Sequence, residues 1–234
     1  MAFKKNFKRL EKKFILTEEQ YLAVKNAFDL VFVPDEYGET TICNLYYDTE
    51  DYLLIRRSIS KPIYKEKLRL RTYGIPTNDS VSFIELKKKY EGTVYKRRTE
   101  MKYSDSINFL SNKLEIENPS QIIKELKFCT ERYKGISPKF YISYDRSAFF
   151  HKDNGDFRVT FDKNLTWRTY DLDLTKGVYG HSLLPCGHVL MEIKVPGNLP
   201  LWIVRLFSDL KIKSTSFSKV GTAYTHMIKQ IGDI

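Results

Sequence analysis

Residues 66–74 read EKLRLRTYG, and Lys67, Arg69 and Arg71 alternate there with two leucines. Successive side chains of a β-strand point to opposite faces, so this spacing predicts a strand with one apolar face and one cationic face. Like charges on one face repel each other, and arginine is almost never buried without a partner. The stretch therefore predicts that negative charge lies opposite the cationic face.

The same alternation occurs in other strand-like segments. In each of them one set of alternate positions, called here a parity, is apolar and the other is mainly charged. The charged positions include Glu11, Lys13, Lys65, Lys67, Arg69, Arg71, Glu85, Lys87, Lys96, Arg98, Arg146, Arg158, Glu192 and Lys194. For any single strand, an ordinary half-buried strand with a solvated face explains the alternation. The density of cations favours another explanation, because three glutamates leave most of these cations unneutralised. A ligand rich in phosphate oxygens, which arginine binds bidentately, would supply the missing charge.

Strand-like segments dominate the chain, and helical patterns lie between them. Turn residues such as Gly74 and Gly92 separate three successive strands, which indicates an antiparallel meander. Thr17 and Gln20 have the spacing of a capping box, so a helix is expected to begin there. Further helical patterns cover about 104–114, 119–132, 200–210 and 218–231. The sequence predicts an α+β fold, an antiparallel eight-stranded β-barrel (tunnel) with helices packed outside, formed by a single domain over residues 1–234.

Lys and Arg (39) exceed Asp and Glu (29), which gives a formal charge of +10 and favours polyanionic partners. Nucleic acid is disfavoured as a partner, because Tyr73, Tyr90 and Tyr103 fall near strand ends and do not interleave with the cations. The three cysteines form no CxxC pair and are expected to be reduced. No signal peptide and no membrane-spanning run is visible, so a cytoplasmic location is expected.

Seven segments occur in an order that resembles a known family: KLRLRTYG, FIELKKK, VYKRRTEM, SYDRSAFF, FRVTFD, VLMEIKVP and SFSKVGTAY. They resemble the polyphosphate polymerase domain of the vacuolar transporter chaperone (VTC). That domain belongs to the triphosphate tunnel metalloenzymes, which also include CYTH-type triphosphatases and adenylate cyclases. The resemblance extends from about Phe7 to Lys229. It implies transfer of the ATP γ-phosphate to a growing polyphosphate chain in a basic tunnel that contains Mn²⁺ or Mg²⁺.

Together with the charged parity, the resemblance implies a role for each candidate residue. The catalytic residues would be Arg69, Arg71, Lys87, Arg146 and Arg158. The phosphate-binding residues would be Lys13, Lys67, Lys96, Arg98, Lys194, Ser218 and Lys219. The metal ligands would be Glu192, Glu85 and Glu11. Two departures stand out: Ser216 replaces a family lysine, and Arg9 replaces the first glutamate of the CYTH Glu-x-Glu-x-Lys motif, which favours the polymerase branch over a two-metal hydrolase.

Several alternatives stay open at this point. A metal-dependent triphosphatase would use the same residues with water as acceptor, and a polyphosphate-binding module would bind without turnover. The expected partners are ATP and polyphosphate or triphosphate, without nucleic acid or direct membrane insertion, and a separate membrane partner for export is left open. Asp48 precedes a helical turn, where an aspartate is more often a cap than a catalyst.

Overall fold

The structure, a computed structural model, describes residues 9–60 and 62–232, with Arg9 described by its backbone alone. Ten strands and six α-helices occur in these ranges. The strands are β1 (Arg9–Leu16), β2 (Phe32–Asp48), β3 (Tyr64–Tyr73), β4 (Val81–Tyr90), β5 (Thr93–Lys102), β6 (Ser137–His151), β7 (Asn154–Arg168), β8 (His181–Ser182), β9 (Val189–Pro196) and β10 (Ser214–Thr215). The helices are α1 (Glu18–Phe28), α2 (Leu53–Ile59), α3 (Tyr103–Leu110), α4 (Gln121–Arg132), α5 (Leu201–Asp209) and α6 (Lys219–Gly232).

The sheet confirms the predicted α+β fold of antiparallel strands and helices, although over the described residues it has ten strands where eight were predicted and is not closed. The hydrogen-bonded order is β10-β1-β9-β7-β6-β2-β3-β4-β5, with β8 paired to β7. Eight of the strands are long, whereas β8 and β10 have two residues each and are too short to produce an alternation in the sequence. A barrel closes only if its end strands exchange hydrogen bonds. Within the described ranges, no ladder joins β5 to β10, so the order is open.

The chain divides into two compact units. Among the described residues, unit 1 comprises 9–40, 144–165 and 184–217, and unit 2 comprises 41–60, 62–143, 166–183 and 218–232. Strands β2, β6 and β7 contribute residues to both units. The expectation of a single domain over residues 1–234 stays a prediction.

The core of unit 2 lies between one face of its sheet and helices α3 and α4. Leu68 and Leu70 of β3 and Ile84 and Leu86 of β4 are buried there. They pack with aromatic and aliphatic side chains of the two helices, namely Tyr103, Phe109, Leu110, Ile123 and Leu126. Each such aliphatic side chain contributes about 1.5–3 kcal/mol by leaving water. The predicted helical cover of the apolar parity is thereby confirmed, and the charged parity of β3 and β4 occupies the opposite face.

Unit 1 repeats this arrangement with its own core. Phe14 and Leu16 of β1 and Met191 and Ile193 of β9 pack with side chains of α1 and α5. The Phe14 and Phe207 rings meet edge to face at a centroid distance of 4.9 Å. The predicted capping box of α1 is confirmed, with Gln20 N donating to Thr17 Oγ1 and Thr17 N donating to Gln20 Oε1.

Two local predictions have clear outcomes. The segments FRVTFDKN and LTWRTYDL were expected to be separate strands, but they form the single strand β7. Asn164 has a left-handed conformation (φ 50°) inside this strand, and this irregularity accounts for the apparent break in the sequence. Asp48 is confirmed as a cap, because its carboxylate accepts the backbone N–H groups of Leu54 and Ile55 at 2.8 Å each.

In the described segments, none of the helices has the length and apolar character needed to cross a membrane.

Candidate functional site

The charged parity of β3, β4 and β5 forms one continuous face of unit 2, called here the β3–β5 face. The strand registers place its residues in four rows: Arg71, Phe83 and Glu100; Arg69, Glu85 and Arg98; Lys67, Lys87 and Lys96; and Lys65, Lys89 and Val94. Eight of these twelve residues are cations and two are carboxylates. Neighbouring strands lie about 4.8 Å apart, so such a density of positive charge favours a bound polyanion.

The Glu85 carboxylate lies at the centre of this face, and four cations surround it. Its Oε2 atom is 2.6 Å from Arg69 Nε and 3.9 Å from Arg71 Nη1, and its Oε1 atom is 2.6 Å from Lys96 Nζ and 3.7 Å from Arg98 Nε. We call these five residues the Glu85 cluster. Burial alone would raise the pKa of Glu85, but Arg69, Arg71 and Lys96 lower it to about 2. Glu85 is therefore ionised throughout the physiological pH range.

The row of lysines beside this cluster approaches the beginning of α6. Lys67 Nζ donates to Ser218 Oγ at 2.9 Å, and Ser218 Oγ also accepts the backbone N–H of Gly221 at 3.3 Å. Lys219 is the first residue of α6. The N-terminus of a helix carries partial positive charge and favours anions. Unit 2 thus brings three predicted phosphate-binding residues, Lys67, Ser218 and Lys219, close to one another.

Unit 1 contains a second arrangement of carboxylates and lysines, on β1 and β9. Glu192 forms ion pairs with Lys13, at 2.9 Å, and with Lys194, and Lys13 also pairs with Glu11. We call these four residues the Glu192 cluster. Burial opposes the ionisation of both groups, but the ion pairs outweigh it: Lys194 and Lys13 lower the pKa of Glu192, and Glu192 and Glu11 raise the pKa of Lys13. The Lys13 ammonium thus bridges the Glu11 and Glu192 carboxylates.

The predicted arginines of unit 1 lie on β6 and β7. Arg146 is held by Asp162, with Nε 2.6 Å from Oδ1 and Nη2 2.8 Å from Oδ2. Arg158 lies over the Phe150 ring at 4.3 Å and stands opposite Lys194 in the β7–β9 ladder. Asp162 has no solvent exposure. The sequence prediction assigned Asp162 no role, although its shared parity with Arg158 was a signal that could have identified it.

The clusters differ in how well they fit a divalent cation. Glu11 and Glu192 already share one cationic partner, and one or two carboxylates combined with phosphate oxygens suit Mg²⁺ or Mn²⁺. Glu85 fits less well, because the four cations around it would repel a metal ion. In the part of the chain that the structure describes, no three His, Cys, Asp or Glu residues form a group able to hold a metal by themselves.

An antiparallel sheet with cationic faces and few carboxylates defines an α+β protein suited to binding anions. The chain belongs to the VTC domain family, whose model matches residues 8–228. No curated protein sequence matches the chain.

Two solved structures show that the fold is shared. A protein from Bacillus halodurans, provisionally described as an adenylate cyclase, is 12% identical with a TM-score of 0.55, over 90% of this chain and 93% of that one. A provisionally assigned adenylyl cyclase from Hippeastrum, described as revealing a dominant triphosphatase activity, is 13% identical with a TM-score of 0.57. That match covers 93% of this chain and 96% of the other. At these identities the likeness concerns the fold alone.

Proposed function

We propose that this protein is a metal-dependent phosphotransferase that moves the γ-phosphate of ATP to the end of a growing polyphosphate chain. Membership of the VTC domain family supports this proposal. The observation that carries it is the excess of cations on the β3–β5 face, where eight lysines and arginines accompany Glu85 and Glu100. Such a face would compensate the charge of several successive phosphates, as a polymer substrate requires.

Phosphoryl transfer passes through a loose transition state, so alignment and charge compensation account for most of the catalysis. Arg69, Arg71, Arg146 and Arg158 would bind non-bridging oxygens through their planar guanidinium groups. Lysines would add point charges along the polymer: Lys13, Lys67, Lys87, Lys96, Lys194 and Lys219. Each well-placed donor would contribute about 2.7–4 kcal/mol to the transition state.

The state of the carboxylates favours a phosphate acceptor over water. A general base works best when its pKa lies near the operating pH. Ion pairs with several cations lower the pKa values of Glu85 and Glu192, which makes both carboxylates weak bases. A terminal phosphate needs no such base, since its last ionisation has a pKa of about 6. Transfer to polyphosphate therefore suits this site better than hydrolysis.

Glu192 and Glu11 are the residues that would hold Mn²⁺ or Mg²⁺, because their carboxylates already share the Lys13 ammonium. When bound, the metal would neutralise charge on the β- and γ-phosphate oxygens. We expect chelation to stop turnover. We also expect Glu192→Gln to raise, by about tenfold or more, the Mn²⁺ concentration needed for half-maximal binding, measured by electron paramagnetic resonance with tripolyphosphate present.

The decisive experiment incubates the protein with ATP and Mn²⁺ and resolves the products by length on a gel. We expect acid-labile polymer, and we expect Arg69→Ala to reduce its formation by about 10²–10³-fold. Arg97→Ala is the matched control, because Arg97 pairs with Glu125 and has the opposite parity on β5. A loss of polymer in both variants, or in neither, would contradict the proposed role of Arg69.

A triphosphatase is the second candidate, because a protein of the same fold from Hippeastrum is described as having that activity. Free phosphate without polymer in the same assay would identify it. Tight binding of polyphosphate with neither product would identify a binding module. The cytoplasmic location, the exclusion of nucleic acid and the separate membrane partner stay predictions.

A further inference from the structure

Each unit contains a buried carboxylate that binds an arginine along the edge of the guanidinium group that carries Nε and Nη2. In unit 1, Asp162 receives Nε and Nη2 of Arg146 at 2.6 and 2.8 Å. In unit 2, Glu85 Oε2 receives Nε of Arg69 at 2.6 Å and lies 2.5 Å from Nη2. Asp162 and Glu85 are 0% and 1% exposed. The carboxylates are therefore fixed, and so are the edges of the guanidinium groups that they contact.

A guanidinium group is planar and presents its five N–H donors in a rigid fork. A carboxylate that binds the Nε edge therefore fixes the plane of the guanidinium group, and the N–H groups on its other edges point away from that carboxylate. Tyr46 strengthens this arrangement for Arg69, since its hydroxyl lies 3.1 Å from Nη1. Tyr144 provides a ring surface 5.1 Å from the Arg146 guanidinium carbon. Both guanidinium groups are thus oriented before any anion binds.

We propose that Asp162 and Glu85 are positioning residues: they orient Arg146 and Arg69 toward phosphate oxygens, and Glu85 does not ligate metal. This inference rests on the proposed function, because it concerns recognition of phosphate at the same residues. The surroundings of Glu85 support it, since Arg71, Lys96 and Arg98 also lie within 4 Å of its carboxylate. A divalent cation would be repelled there.

Removing one of these carboxylates would disturb the orientation of an arginine and also make the local charge more positive. The two changes have opposite effects on anion binding, so they can be distinguished by experiment. Removing a carboxylate makes the local charge more positive and strengthens attraction for every anion. Removing a residue that orients the guanidinium group weakens the binding only of those anions that need its fork of N–H donors. The preference for tripolyphosphate over hexacyanoferrate(II), a polyanion whose nitrile nitrogens each accept a single hydrogen bond, therefore measures positioning. A residue that only stabilised the fold would leave this preference unchanged in the molecules that remain folded.

The experiment measures tripolyphosphate and hexacyanoferrate(II) binding by calorimetry in metal-free buffer, for the wild type, Glu85→Gln and Asp162→Asn. We expect each substitution to reduce the preference for tripolyphosphate by about tenfold or more, while hexacyanoferrate(II) binds at least as tightly as before. The control is Glu125→Gln, which removes a carboxylate paired with Arg97 and Lys88 away from the β3–β5 face. We expect this control to keep the wild-type preference.

Asp162→Asn leaves the partly buried Arg146 guanidinium group without the carboxylate that holds it, so the folding of this variant is checked by thermal melting. If it does not fold, Asp162→Glu decides the question, because glutamate keeps the negative charge but moves the carboxylate relative to the guanidinium group. We expect that variant to lose the preference as well. Glu85→Asp, which keeps the charge but shortens the side chain, serves in the same way for Glu85.

An unchanged preference in the folded variants would overturn the inference. A Glu85→Gln variant that keeps the preference but needs tenfold more Mn²⁺ for binding in the metal titration would instead identify Glu85 as a metal ligand. Turnover in the wild type tests the proposed function separately. A wild type that prefers tripolyphosphate but makes neither polymer nor phosphate would refute the enzyme, and the preferences of the variants would still decide the positioning role.

Discussion

Lys13 Nζ lies 2.9 Å from Glu192 Oε2, and the two residues are direct partners in the ladder that joins β1 to β9. The strand register therefore determines this ion pair. Burial of both groups strengthens their attraction, because less water screens the charges. The pKa of Lys13 is raised and that of Glu192 is lowered, so the pair remains charged at neutral pH.

Replacing Lys13 by methionine should destabilise the protein by about 1–3 kcal/mol, because Glu192 then loses one of its charged hydrogen-bond partners. Urea unfolding followed by circular dichroism measures this difference. Lys12→Met is the control, since Lys12 has the opposite parity on β1, and it should change the stability by less than about 0.5 kcal/mol. Equal effects of the two substitutions would show that the ion pair contributes nothing.

The ionisation of Glu85 should make the stability depend on pH. Its pKa of about 2 in the folded protein lies below the ordinary value of 4.5, so the folded state favours the ionised form. The resulting stabilisation is present above pH 4.5 and is lost as the pH falls toward 2. The stability difference between the wild type and Glu85→Gln should shrink by roughly 2 kcal/mol between pH 6.5 and pH 3. A constant difference in urea unfolding would contradict this.

Much of the β3–β5 face could be predicted because the signal is local. Lys67, Arg69 and Arg71 alternate with leucines that must be buried, so their shared face follows from the period of a strand. The partners of each charge could not be predicted with the same ease. Glu85 was assigned to metal, yet the register places it between Arg69 and Arg98. The connection of residues 74–80 between β3 and β4 sets the pairing of Arg69 with Glu85, and a loop of that length does not fix a register by itself.

Other features lie beyond what a sequence pattern can indicate. The pair of Arg146 and Asp162 joins residues 16 positions apart, and it depends on how β6 and β7 align. Strands β8 and β10 have two residues each, which is too few for an alternation to appear. The long strands and amphipathic helices were predictable because their hydrophobic periods repeat several times.

Arg168 should be essential for stability and unnecessary for phosphate chemistry. It is fully buried between the rings of Tyr141 and Tyr179, at 3.5 and 4.0 Å, and donates to backbone carbonyls of the loop that follows β7. Arg168→Lys keeps the charge but leaves several carbonyls unsatisfied, which should cost about 2–4 kcal/mol in urea unfolding. The exposed Arg205, replaced in the same way, should cost less than about 0.5 kcal/mol. A similar loss in both variants would refute this role.

Gly180 follows the same loop and should tolerate no side chain. Its φ is 137°, and a Cβ atom there would lie 2.4 Å from the carbonyl oxygen of Trp167. Gly180→Ala should therefore destabilise the protein by more than about 1 kcal/mol, because both the backbone conformation and the contact are unfavourable. Gly155→Ala is the matched control, since a Cβ there meets no heavy atom within 4 Å. That control should be neutral or stabilise by up to about 1 kcal/mol. Equal midpoints for the two variants in thermal unfolding would show that the loop moves away from β7 without cost.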